Sequence, residues 1–266
     1  MPALSLGPAD YERALAAAGL REITVFHRQS TGSTNDDARA IASSGLPVLE
    51  TAVAIVVAET QTSGRGRGSN AWSSPRGSIA LTITVPGVPV SRLGVLPLGV
   101  GHAVADALRS LGAPAFVKWP NDVLIEGGKV CGILCESSLL SRTARVFIGI
   151  GINVEPASVD PKVLSGATTL GTHGVAADRP SLVAEITARV IAVIRGVDTN
   201  ENVVKAWKAV AVPWWGEEVT LLDGDSEKRV TLLDVNPEGH LVVREEGGAV
   251  RSLLSGEVRR IRIAPA

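Results

Sequence analysis

The sequence predicts an α+β protein in two parts, a large domain of strands and helices followed by a small all-β barrel. Three observations carry this expectation. At 266 residues the chain is long enough for one large domain with an ample core and a small one besides. Up to about residue 211, apolar strand-like runs are interspersed with helical stretches. From Glu217 onward only short β runs remain, broken by turn residues about every eight to twelve positions. The boundary falls near Pro213 to Gly216, so residues 1–213 form the first domain and residues 214–266 the second.

Composition narrows the class. Apolar residues make up 45% of the chain and the formal net charge is −1, which describes a soluble globular protein. Near-neutral charge argues against nucleic-acid binding over a broad face. No basic start leads into an apolar stretch of signal-peptide type. No apolar run approaches the roughly 18 residues that span a bilayer. The two cysteines, Cys131 and Cys135, lie in one strand-like run. At about 3.3 Å per residue they stand roughly 13 Å apart, too far for a disulfide, and no His pair adjoins them to make a metal site. A reduced, cytoplasmic protein with no membrane or nucleic-acid partner is the expectation.

The elements follow in order. Pro8 to Ala18 reads as a short helix stopped by Gly19, and Thr24 to Arg28 as a strand. Ser33 is an N-cap candidate for a helix running to about Ala42, with Asp36 and Asp37 favourable in its first turn. Ala52 to Ala58 and Ser78 to Val85 read as buried strands, followed by a loop with Pro86 and Pro89. Arg92 to Leu111 is a long helix whose small residues suit close packing on a sheet, with His102 as a packed core histidine. Val123 to Ile125 and Val130 to Glu136 form a hairpin through Glu126-Gly127-Gly128-Lys129, and Pro120-Asn121-Asp122 is a turn. Arg145 to Val154 is a further strand, and Glu155 to Gly174 is loop-like. Ser181 to Arg195, capped by Ser181, and Glu201 to Ala211 are helices. The barrel strands are Val219 to Leu222, Arg229 to Val235, His240 to Arg244, Ala249 to Leu254 and Val258 to Ile263.

Two dense stretches carry the chemistry. Gly64-Arg65-Gly66-Arg67-Gly68 runs on to Trp72 between two buried strands. Glycine lets backbone approach a ligand, arginine offers a fork of donors for carboxylate or phosphate oxygens, and tryptophan offers a stacking face. Such a tract also fits a solvated loop, and it lacks the spacing of a P-loop. The second stretch is Lys118-Trp119-Pro120-Asn121-Asp122, with Lys129 and Gly132 beyond it. Lys129 enters a buried strand from the hairpin turn, an odd place for a decorative lysine, although an exposed turn lysine fits too. Gly132 within a strand suggests close backbone approach. Ser33-Thr34-Asn35 reads as a helix cap or as hydroxyls and an amide offered to a polar ligand. Asn153 ends an apolar strand, where a polar side chain needs a partner. No nucleophilic motif of serine-hydrolase, Cys–His or zinc-protease type is present. Non-covalent equipment of this kind suits phosphoryl or nucleotidyl transfer run by positioning and charge neutralisation.

These residues resemble the signature of biotin protein ligases. The Gly-Arg loop with Trp72, the Lys118 to Asp122 stretch with Lys129 and Gly132, and Ser33-Thr34-Asn35, Gln61, Gly151-Ile152-Asn153 and the C-terminal barrel occur in the family's order, over nearly the whole chain. The resemblance implies a mixed sheet with helices on one side and an SH3-like C-terminal barrel. It implies a two-step reaction: biotin and ATP, with Mg²⁺, give biotinyl-5′-AMP and pyrophosphate, and a lysine of a carboxylase biotin-carrier domain then takes the biotin. By position, Ser33, Thr34, Asn35, Gln61, Gly64, Arg65 and Gly66 would hold biotin, and Gly132 would let its tail pass. Arg65, Arg67 and Lys129 would surround the carboxylate–phosphate junction, with Lys129 and Arg67 the catalytic pair. Trp72 would stack on adenine, and Asn121 and Asn153 would contact the nucleotide. Asp122 would orient Lys129 or a metal; no metal ligands are assigned. The catalytic pattern begins by about residue 21, so a DNA-binding domain and repressor activity are not expected. After Arg67 the loop continues Gly68-Ser69-Asn70, with no further basic residue to hold the adenylate. A lipoate–protein ligase or octanoyl transferase, and a non-enzymatic nucleic-acid-binding module, are the rival readings.

Overall fold

The computed structural model describes residues 6–45, 51–158, 166–196, 198–223 and 226–260. Seven strands form one mixed sheet: β1 (Thr24–Arg28), β2 (Ala54–Ala58), β3 (Ser78–Pro89), β4 (Ala115–Lys118), β5 (Asp122–Ile125), β6 (Gly128–Leu140) and β7 (Thr143–Asn153), in the spatial order β1-β2-β3-β7-β6-β5-β4. Only β1 and β2 run parallel; the remaining neighbours are antiparallel.

Side-chain alternation along these strands sorts the sheet into two unlike faces. Ile55 and Val57 of β2, Leu81 and Ile83 of β3, Cys131 and Ile133 of β6, and Ile148, Ile150 and Ile152 of β7 point into the main core. Four helices cover that face: α1 (Pro8–Ala17), α3 (Leu96–Ser110), α4 (Arg179–Arg195) and α5 (Asn200–Ala209). The intervening residues point the other way, and there α2 (Thr34–Ala42) lies on a small cluster of Ala38, Val56 and Phe147. The expected arrangement, with helices on one side, therefore needs a correction. Four lie on one face and α2 lies on the other, because Val56 and Phe147 are out of phase with the core-facing residues beside them.

The second sheet is antiparallel: β8 (Glu218–Asp223), β9 (Ser226–Val235), β10 (Leu241–Glu245), β11 (Val250–Leu253) and β12 (Glu257–Arg260), ordered β11-β10-β9-β8-β12. Positions 261–263 of the last expected strand, and 224–225 of the first turn, lie outside the described residues. Trp119 ties the two sheets together, donating its Nε1–H to the Gly239 carbonyl at 3.0 Å. Trp207, Trp214, Trp215, Leu232, Leu241 and Val258 pack around the same seam.

Three other expectations change at element ends. Pro86 and Pro89 do not open a loop; β3 runs through them with a bulge between Val85 and Val88. Pairing with β2 has ended at Thr84, so on that side the missing N–H of Pro86 leaves no ladder bond unmade. The long helix begins at Leu96, after a short 3-10 turn at Val90–Arg92. The cap of α4 is Asp178, whose carboxylate accepts from the Ser181 N–H at 3.0 Å and from its hydroxyl at 2.6 Å. Pro180, whose fixed φ suits a first turn, lets the helix start two residues early. The hairpin turn occurs as expected, with Glu126 at φ 50° and Gly127 at φ 81°, the pair of positive values a tight two-residue turn requires. Cys131 and Cys135 are free thiols.

Candidate active site

The α2 face of the sheet carries a cavity of about 730 Å³, and its floor is set by strand register. Gly132 of β6 pairs with Gly151 of β7, and on their flanks lie Asp122 of β5 and Ala80 of β3. Two residues further along, Thr82 pairs with Gly149 and Gly149 with Leu134. The floor is thus short of side chains at its centre and polar at both ends.

One end is neutral and rich in hydrogen bonds. Ser33 occupies the N-cap position of α2 with extended backbone, but its hydroxyl makes no capping bond, so the expected helix cap is positional only. The Gln61 carbonyl oxygen accepts from the Thr34 N–H at 2.9 Å and lies 3.1 Å from the Thr34 hydroxyl, while the Gln61 amide donates to Ser74 at 2.9 Å. Asn35 is buried, with Nδ2 donating to Glu136 at 2.7 Å and Oδ1 accepting from Thr82 at 2.6 Å.

The other end is cationic. Asp122 is buried and holds Lys118 at 2.9 Å through Oδ2 and Lys129 at 2.6 Å through Oδ1. Burial alone would raise the Asp122 carboxyl, but the two ammonium groups more than offset this and hold it below its usual value. Arg67 donates to the Gly256 carbonyl at 3.1 Å, pinning the loop to the smaller sheet. Burial lowers the Arg67 guanidinium from its usual value, with Asp122 and Glu257 opposing that. Asn121 donates to the Ile133 carbonyl at 2.7 Å, and Asn153 donates to the Thr168 carbonyl at 3.1 Å.

The loop between the two ends is folded back on itself. Trp72 N–H donates to the Gly64 carbonyl at 2.8 Å, and Gly66 N–H to the Asn70 carbonyl at 2.7 Å. A Cβ at Gly64 would overlap the Trp72 carbonyl, so only glycine permits this turn. The Trp72 indole lies on the glycine floor: a Cβ at Gly132 would stand 2.9 Å from its Cζ3, and one at Gly151 would overlap its five-membered ring. Lys129 Nζ sits 5.4 Å from the indole centroid. The Trp72 Nε1–H is buried with no hydrogen-bond partner.

Every residue expected in the site lines this one cavity except Gly64, which abuts it through Trp72 and Gln61. Two side chains depart from what was expected. The Arg65 guanidinium is on Asp36 at 2.7 Å and Glu136 at 3.0 Å, beside Asn35 at the first of its two expected places and not beside Lys129 at the second. Trp72 covers Gly132, the place expected for an acyl tail. Glu136, Thr82 and Ser74 were not anticipated, nor were Gly256, Glu257 and Arg259 on the rim supplied by the smaller sheet.

Known proteins resemble this chain over most of its length. The chain is 34% identical over 261 residues to the biotin–[acetyl-CoA-carboxylase] ligase of Mycobacterium tuberculosis, covering 93% of this chain and 92% of that one. The chain belongs to the biotin protein ligase family. Residues 28–153 match the biotin/lipoate A/B protein ligase family, and residues 215–259 match the biotin protein ligase C-terminal domain. The ligase of Paracoccus denitrificans with the same name is 33% identical over 230 residues, covering 82% of this chain and 93% of that one. Among solved structures, the biotin protein ligase of Aquifex aeolicus in complex with biotin and ATP superposes with a TM-score of 0.73 at 25% identity, over 90% of this chain and 99% of that one. For this biotin protein ligase family member, all the residues expected in the site fall within the first matched stretch, and the Gly256–Arg259 rim falls within the second.

Proposed function

We propose that the protein activates biotin with ATP to biotinyl-5′-AMP and then transfers biotin to a lysine of a carboxylase biotin-carrier domain. The observation that supports this best is the polarity of the cavity, neutral hydrogen-bonding groups at one end and cations at the other, with a glycine floor between. A cyclic urea needs several hydrogen bonds, and Ser33, Thr34, Asn35, Gln61 and the Arg65 backbone surround the end that offers them. Leaving one such group unpaired when buried costs about 1–3 kcal/mol. Gly64 and Gly66 bring the loop backbone close to the same end. Gly132 and Gly151 leave room for the tail, whose carboxylate then reaches Lys129, Lys118 and Arg67.

At that end two anions must meet. A carboxylate oxygen of biotin attacks the α-phosphorus of ATP, and the bond to the β-phosphate oxygen breaks, releasing pyrophosphate. Lys129 and Arg67 lower the repulsion between the reactants and stabilise the charge that develops on the phosphoryl oxygens. Asp122 holds Lys129 in place at 2.6 Å. In the second step the acceptor amine attacks the acyl carbon, the acyl–oxygen bond breaks, and AMP leaves. Asn121, Asn153 and Trp72 contact the nucleotide, and Trp72 reaches it by leaving the glycine floor.

Among the described residues no three His, Cys, Asp or Glu side chains gather as a metal site requires, and both Asp122 oxygens are taken by lysines. The described residues thus offer Mg²⁺ no cage of protein ligands, and where the reaction uses it the ion would enter with the phosphates of ATP, its charge easing the approach of the two anions. Among the described residues no helix is long and apolar enough to cross a membrane. The use of ATP and a carboxylase acceptor supports a cytoplasmic setting, and a net charge of −1 supports a function without nucleic acid. Residues 1–213 form the catalytic unit and 214–266 the unit that lends it a rim. Incubation with biotin, MgATP and a biotin-acceptor domain, followed by intact mass measurement, should add one biotinyl group per acceptor. The lipoate reading predicts the reverse preference: calorimetry showing tight lipoate binding without biotin binding overturns the proposal.

A further inference from the structure

At the neutral end an unbroken file of hydrogen bonds runs behind the residues that face the cavity. Arg39 and Arg65 bind Glu136, at 2.8 Å and 3.0 Å; Glu136 accepts from Asn35; Asn35 accepts from Thr82. Thr82 lies 2.8 Å from the Thr34 hydroxyl, which lies 3.1 Å from Gln61, and Gln61 donates to Ser74. Thr82, Ser74 and Asn35 are all buried, and Gly149 has no side chain because a Cβ there would stand 2.7 Å from the Asn35 oxygen.

The direction of each bond in this file is fixed from its charged end. Hydrogen bonds from Asn35, Arg39 and Arg65 hold the Glu136 carboxyl below its usual value although burial opposes this. An ionised carboxylate only accepts, so the Asn35 group 2.7 Å from it must be the NH₂. The Asn35 oxygen therefore faces Thr82, and being an acceptor only, it takes the single Thr82 proton. Thr82 can then only accept from Thr34. The Thr34 hydroxyl has one proton and two acceptors within reach, Thr82 at 2.8 Å and the Gln61 oxygen at 3.1 Å; the shorter contact takes it, and Gln61 keeps the Thr34 N–H at 2.9 Å. What Thr34 presents to the cavity is a lone pair.

We propose that Thr82 and Glu136 are positioning residues that set the polarity of the ring-binding end, so that Thr34 accepts from a ring N–H and discriminates against a ring atom that cannot donate. Neither touches the ligand, and each acts through Asn35 and Thr34. The proposal rests on biotin being the substrate and adds to it which buried groups make the site read a urea.

The test compares biotin with its two isomeric cyclic carbamates, in which one or the other ring N–H is replaced by oxygen, by calorimetry on the full chain. Wild type should bind biotin more tightly than one of the isomers by roughly 100-fold or more, as sites built to bind an N–H do. In Thr82→Val, which keeps the shape and removes the hydroxyl, that preference should fall at least about tenfold. Thr82→Ser should restore it, and the KM for ATP should not move. Glu136→Gln should lower the preference as well, because an amide can turn a donor toward Asn35 and release the fixed direction. A Thr82→Val protein that weakens for biotin and both carbamates alike has lost packing, not polarity, and overturns the proposal. Wild type that binds biotin yet discriminates no better than either variant also overturns it, while leaving the ligase reading intact. Wild type that does not take up biotin overturns both.

Discussion

Asp122 is the strongest point at which to perturb the cationic end, because it is the only carboxylate paired to both lysines there among the described residues. Its side chain is 10% exposed and that of Lys118 is 13% exposed, whereas Lys129 is 33% exposed. Removing one partner of a buried ion pair costs about 3–5 kcal/mol, since the remaining charge stays buried. Lys129 can turn toward solvent, so its share is smaller, about 0–1 kcal/mol. Asn at 122 keeps one acceptor, which offsets part of the loss, so Asp122→Asn should destabilise the protein by about 2–4 kcal/mol near neutral pH. Because the folded-state carboxyl sits below its unfolded value, its contribution is present above the unfolded pKa and lost as pH falls through the folded one. Wild type and Asp122→Asn should therefore converge in urea denaturation as the pH is lowered into the acidic range. Lys118→Met combined with Asp122→Asn should recover at least about 1 kcal/mol relative to the sum of the single changes. A loss under about 0.5 kcal/mol at neutral pH, or strict additivity of the pair, refutes the account of a mutually dependent buried cluster.

Other perturbations probe the remaining parts of the cavity. Gly151→Ala places a methyl group where the indole and the tail would lie, so calorimetry should show biotin affinity reduced at least about tenfold with far-UV circular dichroism unchanged. Lys129→Ala should cut biotin-dependent pyrophosphate release by at least about 100-fold, and a rate near wild type removes Lys129 from the reacting centre. Arg67→Gly loses the bond to the Gly256 carbonyl and should speed departure of the adenylate more than it slows its formation; an unchanged off-rate in a filter assay counts against a lid. The loop from Ser63 to Asn70 should exchange its amide hydrogens quickly in the free protein and slowly with biotin and ATP bound, because few backbone bonds hold it. Slow exchange without ligand contradicts that.

Much of this was legible because strand alternation is a local signal. Gly149-Ile150-Gly151-Ile152-Asn153 reads directly as isoleucines into the core and small or polar residues onto the opposite face, as found. The same period places Gly132 and Glu136 on the cavity face of β6, yet only Gly132 stood out, since a glycine inside a strand is anomalous and a glutamate near its exposed end is not. Thr82 was invisible for a related reason: a threonine in a buried strand satisfies β propensity, and its partners Thr34 and Asn35 lie 48 and 47 residues away. The side of the sheet that α2 takes, and the rim formed by Gly256 to Arg259, depend on how separate elements dock, which no short window of sequence encodes. The Pro86 error came from treating a proline as a breaker without knowing which side of the strand was already unpaired.

The register also bears on why biotin rather than lipoate suits this cavity. Gly132 and Glu136 are four residues apart on β6, so the cationic row and the back of the ring-binding end are separated by roughly 13 Å. Both acids carry a short acyl tail ending in a carboxylate, so the floor and the lysines would accept either one. The distinction has to be made at the ring. A dithiolane offers no N–H and no carbonyl, and against Thr34, Asn35 and Gln61 it would leave buried polar groups without partners. At about 1–3 kcal/mol for each unpaired group, two or three of them suffice for a preference of a hundredfold or more. The file from Glu136 to Ser74 keeps those groups from turning to satisfy one another in a different pattern. On this proposal specificity would rest on the hydrogen-bonded end, while the cationic end would supply chemistry that related acids could share.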